Sequence, residues 1–347
     1  MNEQRSAGLT RDPVIVLAAD EGFAMPLAVT VRSILDHCAA DRRPTLYILD
    51  GGITDATKAR LQRSWPRNRP YDIHWVEVDR SLLEGIEASG HVTLAAYYRI
   101  LMPRLLPESV RRAIYLDSDL VCLADVGGLW DVDLRDHLCG AIPDLAAPYI
   151  DSSRVLPNQE RCVPFLAAAR PIPNFEALGL APELSYFNSG VLLIDLDRWR
   201  NEKISQRVLD CLRDHRDYVL WWDQYALNVV LAGRWKLLDR RWNQGSHLYQ
   251  FPTWLDSPID QETFETLRET PYVVHFSSPV KPWHLECRHP YRHEFFQTLD
   301  RTEWKGWRPP GPSLLKRLCR TGYWRLREHV RLALRRTQVL LGGGFLK

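Results

Sequence analysis

Continuous apolar runs alternate with amphipathic segments along the first half of this chain. Residues 13–19 form a short unbroken apolar run, the pattern of a strand buried on both faces, and it stops at Asp20. Residues 26–38 then place Leu27, Val31, Ile34 and Leu35 on one helical face. A second strand is predicted over 45–49, ending in Asp50, and Thr54 is placed to cap a helix over 54–65. Residues 71–78 alternate as a third strand. This β-α-β-α-β order predicts the opening half of a doubly wound α/β fold.

Later segments extend the pattern. Residues 92–106 read as a helix carrying Arg99, and 113–116 as a buried strand that stops at Asp117-Ser118-Asp119. Residues 140–144 predict a strand ending in a further carboxylate, Asp144. Val191 to Ile194 predict a buried strand with Asn188, Ser189 and Gly190 at its start. Helices are expected over 201–214 and from Trp221 to about Leu231, with strands at 235–238 and 272–276. Between them, residues 145–185 are rich in Pro and Ala and lack periodicity. A loop of that length in a compact domain is usually functional or mobile, and a lid or acceptor-binding insertion is expected there.

Charge changes the picture at one end only. The net charge is +2, which gives no case for nucleic acid as a partner. Residues 312–347, however, carry nine Lys or Arg and one Glu. Apolar and basic residues interleave there, so the segment is either a solvated helix on the domain or an interfacial helix drawn to anionic lipid. Residues 1–12 are polar and expected to be disordered. Seven scattered cysteines without a CxxC pair fit a reducing compartment rather than a disulfide framework. No apolar run approaches the roughly 18 residues that span a membrane. The expectation is a cytoplasmic protein, peripheral on the inner face of the plasma membrane through its tail.

Candidate chemistry gathers at strand ends. Asp117 and Asp119, at i and i+2 past a buried strand, stand where open α/β sheets bind ligands. Two such carboxylates repel unless a cation lies between them, and oxygen ligands suit Mg²⁺ or Mn²⁺ bridging to phosphate. An ordinary solvated turn is the alternative. His275, at the end of the last strand, is either a hydrogen-bonded core residue or a third ligand, and Lys281, which follows, is a candidate contact for phosphate. Arg99 is either a surface side chain or an anion contact. Asp223 and Gln224 either cap a helix or face the site. No GxGxxG follows the first strand and no Walker loop is present, so a dinucleotide dehydrogenase and a P-loop enzyme are set aside.

Six features occur in one order: Asp20, Arg99, the Tyr115-to-Asp119 strand end, the Phe187-to-Ile194 strand, Asp223-Gln224, and His275 followed by Lys281-Pro282-Trp283. In that order the chain resembles the glycosyltransferase family 8 enzymes over roughly 13–297. These include bacterial lipopolysaccharide galactosyl- and glucosyltransferases and the glycogenins. The resemblance implies a GT-A fold, a Rossmann-like, mostly parallel sheet flanked by helices, with a basic helical tail over 298–347. It implies a retaining transfer of glucose or galactose from a UDP-hexose to a glycan or lipid-linked acceptor, with Mn²⁺ or Mg²⁺. Asp117, Asp119 and His275 match the metal ligands, and Lys281 the diphosphate contact. Ala18, Ala19 and Asp20 match the nucleoside contact. Arg99, Asn188, Asp223 and Gln224 match the sugar pocket, with Gln224, Asp223 and Asn188 the candidates nearest the chemistry. Ser118 and Ser278 belong to the nucleotide-binding turns. Gly22 stands where relatives often carry Asn, and Ser278 where they often carry Gly. A non-catalytic sugar-nucleotide or glycan-binding protein and a UDP-sugar hydrolase are the other classes compatible with these residues.

Overall fold

The computed structural model describes residues 11–86 and 93–311. Disorder is expected over residues 1–12; of these, 1–10 lie outside the described residues, as does the interleaved basic segment 312–347, while the Arg11 carbonyl accepts from Arg42 and Asp12 accepts from Arg43 N–H. Among the described residues ten strands form two sheets: β1 (Val14–Ala19), β2 (Thr45–Asp50), β3 (Asp72–Glu77), β4 (Arg112–Leu116), β5 (Leu120–Cys122), β6 (Cys139–Pro143), β7 (Phe187–Asp195), β8 (Trp235–Leu237), β9 (Gln244–Gly245) and β10 (Val273–His275). The larger sheet has the order β3-β2-β1-β4-β7-β6-β8. All its neighbours are parallel except those of β7, which runs against both β4 and β6.

The unbroken apolar runs follow from burial on two faces. Val16, Ala18, Tyr115, Leu192 and Ile194 enter one core layer. Their alternate neighbours Ile15, Leu17, Ile114, Val191 and Leu193 enter the other. Helix Ala24–His37 covers the second layer with Leu27, Val31, Ile34 and Leu35. Helix Ile204–Asp214 covers the first with Ile204, Val208 and Leu209. Thr54 caps helix Asp55–Ser64 through Thr57 N–H.

Four expectations about elements change. The segment expected as one helix over 92–106 is a 3-10 turn over Leu94–Leu101 that passes into a short α-turn, Met102–Leu105. The helix expected over 201–214 starts at Ile204, after Lys203 with a left-handed φ of 52°, and a separate helix, Leu196–Asn201, precedes it. Asn188 to Gly190 lie inside β7 rather than before it. Because β7 is antiparallel, its first residues sit at the carboxyl edge of the parallel strands, which brings Asn188 and Gly190 to the site. The last strand, β10, is not in the large sheet. It pairs with β5 and β9, placing His275 opposite Leu120 and beside Gly245.

Residues 145–185 hold short helices, Ser152–Val155 and Gln159–Cys162, and they pack. Leu145, Leu156, Cys162 and Leu166 join Leu248, Phe251, Phe264 and Leu267 in a satellite core. The packed chain also continues past residue 297. Leu299 is fully buried, and Trp304 and Trp307 lie against the cluster around Phe276 and Phe295. Among the described residues six cysteines are free and buried, and no helix is long and apolar enough to cross a membrane.

Candidate active site

A cleft of about 950 Å³ opens at the carboxyl edge of β1 and β4, between the large sheet and the small one. Its floor is the turn 117–119, held from three sides. Asp117 N–H donates to the Gly190 carbonyl, and Phe276 N–H donates to the Asp119 carbonyl. The Ser118 hydroxyl donates to the Ala18 carbonyl at 2.7 Å, so its side chain ties the turn to β1. From below, Thr30 Oγ1 in helix Ala24–His37 lies 3.0 Å from the Ser118 carbonyl and 2.7 Å from that of Leu120.

The carboxylates converge on one imidazole. His275 Nε2 lies 3.2 Å from Asp119 Oδ1 and 3.7 Å from Asp117 Oδ2. One donor atom from each of the three residues lies within 4.8 Å of the others. Gly190 makes the approach possible: a Cβ there would overlap His275 Cε1 and stand 2.8 Å from Asp117 Oδ2. Lys281 Nζ, itself buried, lies 2.5 Å from Asp119 Oδ2 and donates to the Phe276 carbonyl. Burial alone would raise the Asp119 carboxyl, but Lys281 and His275 outweigh it and hold it well below the usual carboxylate range. Two carboxylates and an imidazole form a donor set suited to a divalent cation, and the glycine leaves room for them to meet.

Beside this centre lies the second group. Arg99 is 4% exposed, and its burial is compensated by two carboxylates. Its guanidinium lies 3.1 Å from Asp117 Oδ1 and 2.9 Å from Asp223 Oδ2, and faces the Tyr115 ring at 4.6 Å. The Arg99 Nε hydrogen points to the Ala96 carbonyl, so Asp223 Oδ2 has a charge partner but no hydrogen bond. Burial, with the charge of Asp117, raises the Asp223 carboxyl to about 6 against the pull of Arg99. Asp223 lies in the first turn of its helix, Trp222–Val230, and lines the cleft. That helix begins at Trp222 with a φ of 44°, a backbone conformation unfavourable for a bulky side chain.

Gln224 is bonded at both ends. Its Oε1 accepts from Ser189 N–H at 3.1 Å and its Nε2 donates to Asp144 Oδ2 at 2.9 Å. Asn188 Nδ2 also donates to Asp144, and its Oδ1 accepts from Asn243 Nδ2 at 2.9 Å. The remaining predicted residues lie on the cleft wall. Ala18, Ala19 and Asp20 line it, with Asp20 capping a short turn through Phe23 N–H. Ser278 lines it too, while its hydroxyl bonds its own loop at the Val280 carbonyl. The turn thus brings Asp117, Asp119, His275, Lys281, Arg99, Asp223, Gln224 and Asn188 into one cleft. Sequence reasoning missed the partners that hold them: Asp144, Asn243, Tyr115 and Thr30. Asp144 had a signal, as a carboxylate at a strand end. Asn243 and Thr30 had none.

With this geometry in view, the chain's likeness to known proteins has a structural basis. The model of "Glycosyl transferase family 8" matches residues 14–287. General stress protein A of Bacillus subtilis is 31% identical over 293 residues, covering 84% of this chain and 94% of that protein. Lipopolysaccharide 1,2-glucosyltransferase of Escherichia coli is 28% identical over 211 residues, covering 61% of this chain and 55% of that protein. Among solved structures, the galactosyltransferase LgtC with donor and acceptor sugar analogues superposes with a TM-score of 0.68 at 24% identity, over 87% of this chain and 99% of that one. The last likeness speaks for the fold, which is GT-A. On the match across most of its length, the chain belongs to glycosyltransferase family 8 and is a hexosyltransferase.

Proposed function

We propose that this protein moves glucose or galactose from a UDP-hexose to a glycan or lipid-linked acceptor, with Mn²⁺ or Mg²⁺ bound by Asp117, Asp119 and His275, and with retention at the anomeric carbon. The convergence of those three donors beside Lys281 carries the reading. A divalent cation there would supply Lewis-acid stabilisation of the negative charge that develops on the departing diphosphate. Lys281 brings a fixed positive charge to the same place. Ala18, Ala19 and Asp20 line the nucleoside end of the cleft, and Ser118 and Ser278 stand in its phosphate-side turns. Arg99, Asn188, Asp223 and Gln224 line the sugar end. The relatives' names, glucosyl- and galactosyltransferases among them, support a hexose donor.

The surroundings of Asp223 and Gln224 favour attack by the acceptor on the leaving-group face. Gln224 is an amide with both ends bonded. Asp223 is paired with Arg99. An amide is a poor nucleophile, and the Arg99 charge holds the Asp223 carboxylate, so a covalent sugar intermediate on either is disfavoured. The departing phosphate then takes the acceptor's proton. The segment 145–185 and the part of the chain beyond the motifs are the proposed acceptor side, and the basic tail is the proposed contact with anionic membrane.

The test is UDP release from a panel of UDP-sugars with Mn²⁺, Mg²⁺ or EDTA, comparing wild type with Asp119→Ala. Release from one hexose donor that EDTA and the substitution both abolish, and that rises with added acceptor, is the expected result. Acceptor-independent release at full rate would reassign the protein as a hydrolase. Absence of any metal-dependent UDP binding overturns the reading.

A further inference from the structure

The polar chain behind His275 determines which of its ring nitrogens carries hydrogen. It starts from two groups with no choice of role: the Asp144 carboxylate accepts, and the Gly190 N–H donates. Asn188 stands between them, with Nδ2 3.1 Å from Asp144 Oδ2 and Oδ1 3.0 Å from Gly190 N. Its amide can be oriented only one way. Asn188 Oδ1 therefore faces Asn243 as an acceptor, and Asn243 must present Nδ2 to it, at 2.9 Å. That turns Asn243 Oδ1 toward His275 Nδ1, also at 2.9 Å. An amide oxygen accepts only, so Nδ1 must be the donor.

We infer that Asn243 is a positioning residue that fixes Nδ1 of His275 as a hydrogen-bearing nitrogen and so turns Nε2 toward the cleft between Asp117 and Asp119. Asn188 orients Asn243, so the same amide chain that meets Gln224 at Asp144 also sets the ring at the other end. Asn243 and His275 are 7% and 3% exposed, so water does not substitute for the amide. Metal-binding imidazoles commonly donate their second nitrogen to a fixed acceptor, which sets tautomer and orientation. A side-chain amide in that place accepts the Nδ1 hydrogen without adding a third negative charge to the two carboxylates already facing the ring. The use of this arrangement for cation binding rests on the function proposed above; the tautomer does not.

The experiment uses full-length protein labelled with ¹⁵N-histidine, in alkaline buffer without metal, with His275 identified by its loss in His275→Gln. Long-range ¹H–¹⁵N spectra are expected to show the Nδ1–H form in wild type and in Asn243→Asp, which keeps an acceptor. In Asn243→Leu the Nε2–H form should appear, because Asp119 is then the remaining acceptor. Free-Mn²⁺ electron paramagnetic resonance is expected to show affinity roughly 10–100-fold weaker in Asn243→Leu than in wild type. An Nε2–H form in wild type overturns the inference. So does a folded Asn243→Leu with wild-type spectrum and Mn²⁺ affinity. Should Asn243→Leu fail to fold, wild type and Asn243→Asp decide. A wild type that shows Nδ1–H but binds no Mn²⁺ overturns the cation reading alone.

Discussion

The residue that makes the carboxylate–imidazole centre possible has no functional group. Gly190 lets β7 pass close to His275 and Asp117. Gly190→Ala should force both side chains to move, costing about 1–3 kcal/mol in stability. Calorimetric titration of UDP with Mn²⁺ should show binding weakened at least as strongly as the melting curve. Wild-type binding would show that the centre does not depend on that approach. Asp223 offers a different test. Its raised carboxyl means that the folded chain holds this proton more tightly than the unfolded chain. The associated stability is fully present below about pH 4 and is lost as pH rises through about 6. Urea unfolding from pH 4 to 7 should therefore turn against wild type relative to Asp223→Asn by roughly 2–3 kcal/mol. Parallel curves would mean that Arg99 keeps Asp223 ionised throughout. That Asp117, Asp119, His275 and Lys281 gather at one place was legible from residue type at strand ends. Asn243 was not, because its role depends on two contacts, to residues 55 and 32 positions away, that leave no trace in local pattern.

At the scale of elements, strand positions were legible and strand directions were not. An apolar run announces burial, but it reads the same in either direction, so nothing in Phe187 to Asp195 predicted that β7 is antiparallel. Likewise Val273 to His275 is too short to reveal that it belongs to a second sheet. The contact between helix Ala24–His37 and the 117–119 turn was equally hidden. Thr30 and Ser33 fall among apolar residues on the buried side, where helix periodicity counts them only as interruptions. In the fold, Thr30 reaches two carbonyls of the turn, and Ser33 Oγ accepts from Cys122 N–H at 2.9 Å. Thr30→Val removes a buried hydroxyl that nothing replaces and should cost about 1–3 kcal/mol. The loss should also reach the site, because the helix would no longer hold the turn. Mn²⁺-dependent UDP binding is expected to weaken alongside urea stability. Unchanged binding at reduced stability would show that β4, β5 and Gly190 suffice to hold the carboxylates in place.

For the whole molecule, the question is where the folded unit stops. The family resemblance ends near residue 297 and a basic tail is expected from 298, but the run of basic charge begins only after 311, which sets apart the segment 298–311. The structure assigns it to the domain. Thr298, Leu299 and Thr302 are buried, and Glu303 N–H donates to Ser64 Oγ at 3.0 Å. Arg60 stacks on Trp304 at 4.0 Å, and Arg32 donates to the Arg301 carbonyl at 2.7 Å. These contacts land on helices Ala24–His37 and Asp55–Ser64, both on the core layer behind β1. Removing the segment therefore exposes Phe295 and the outer side of the helix that carries Thr30. A chain cut after Gln297 should melt roughly 5–10 °C below one cut after Gly311, the loss expected for about 3 kcal/mol of buried aromatic and aliphatic packing. Scanning calorimetry of the two truncations side by side checks this. Equal melting temperatures would place the boundary near residue 297 and make 298–311 a dispensable appendage of the domain.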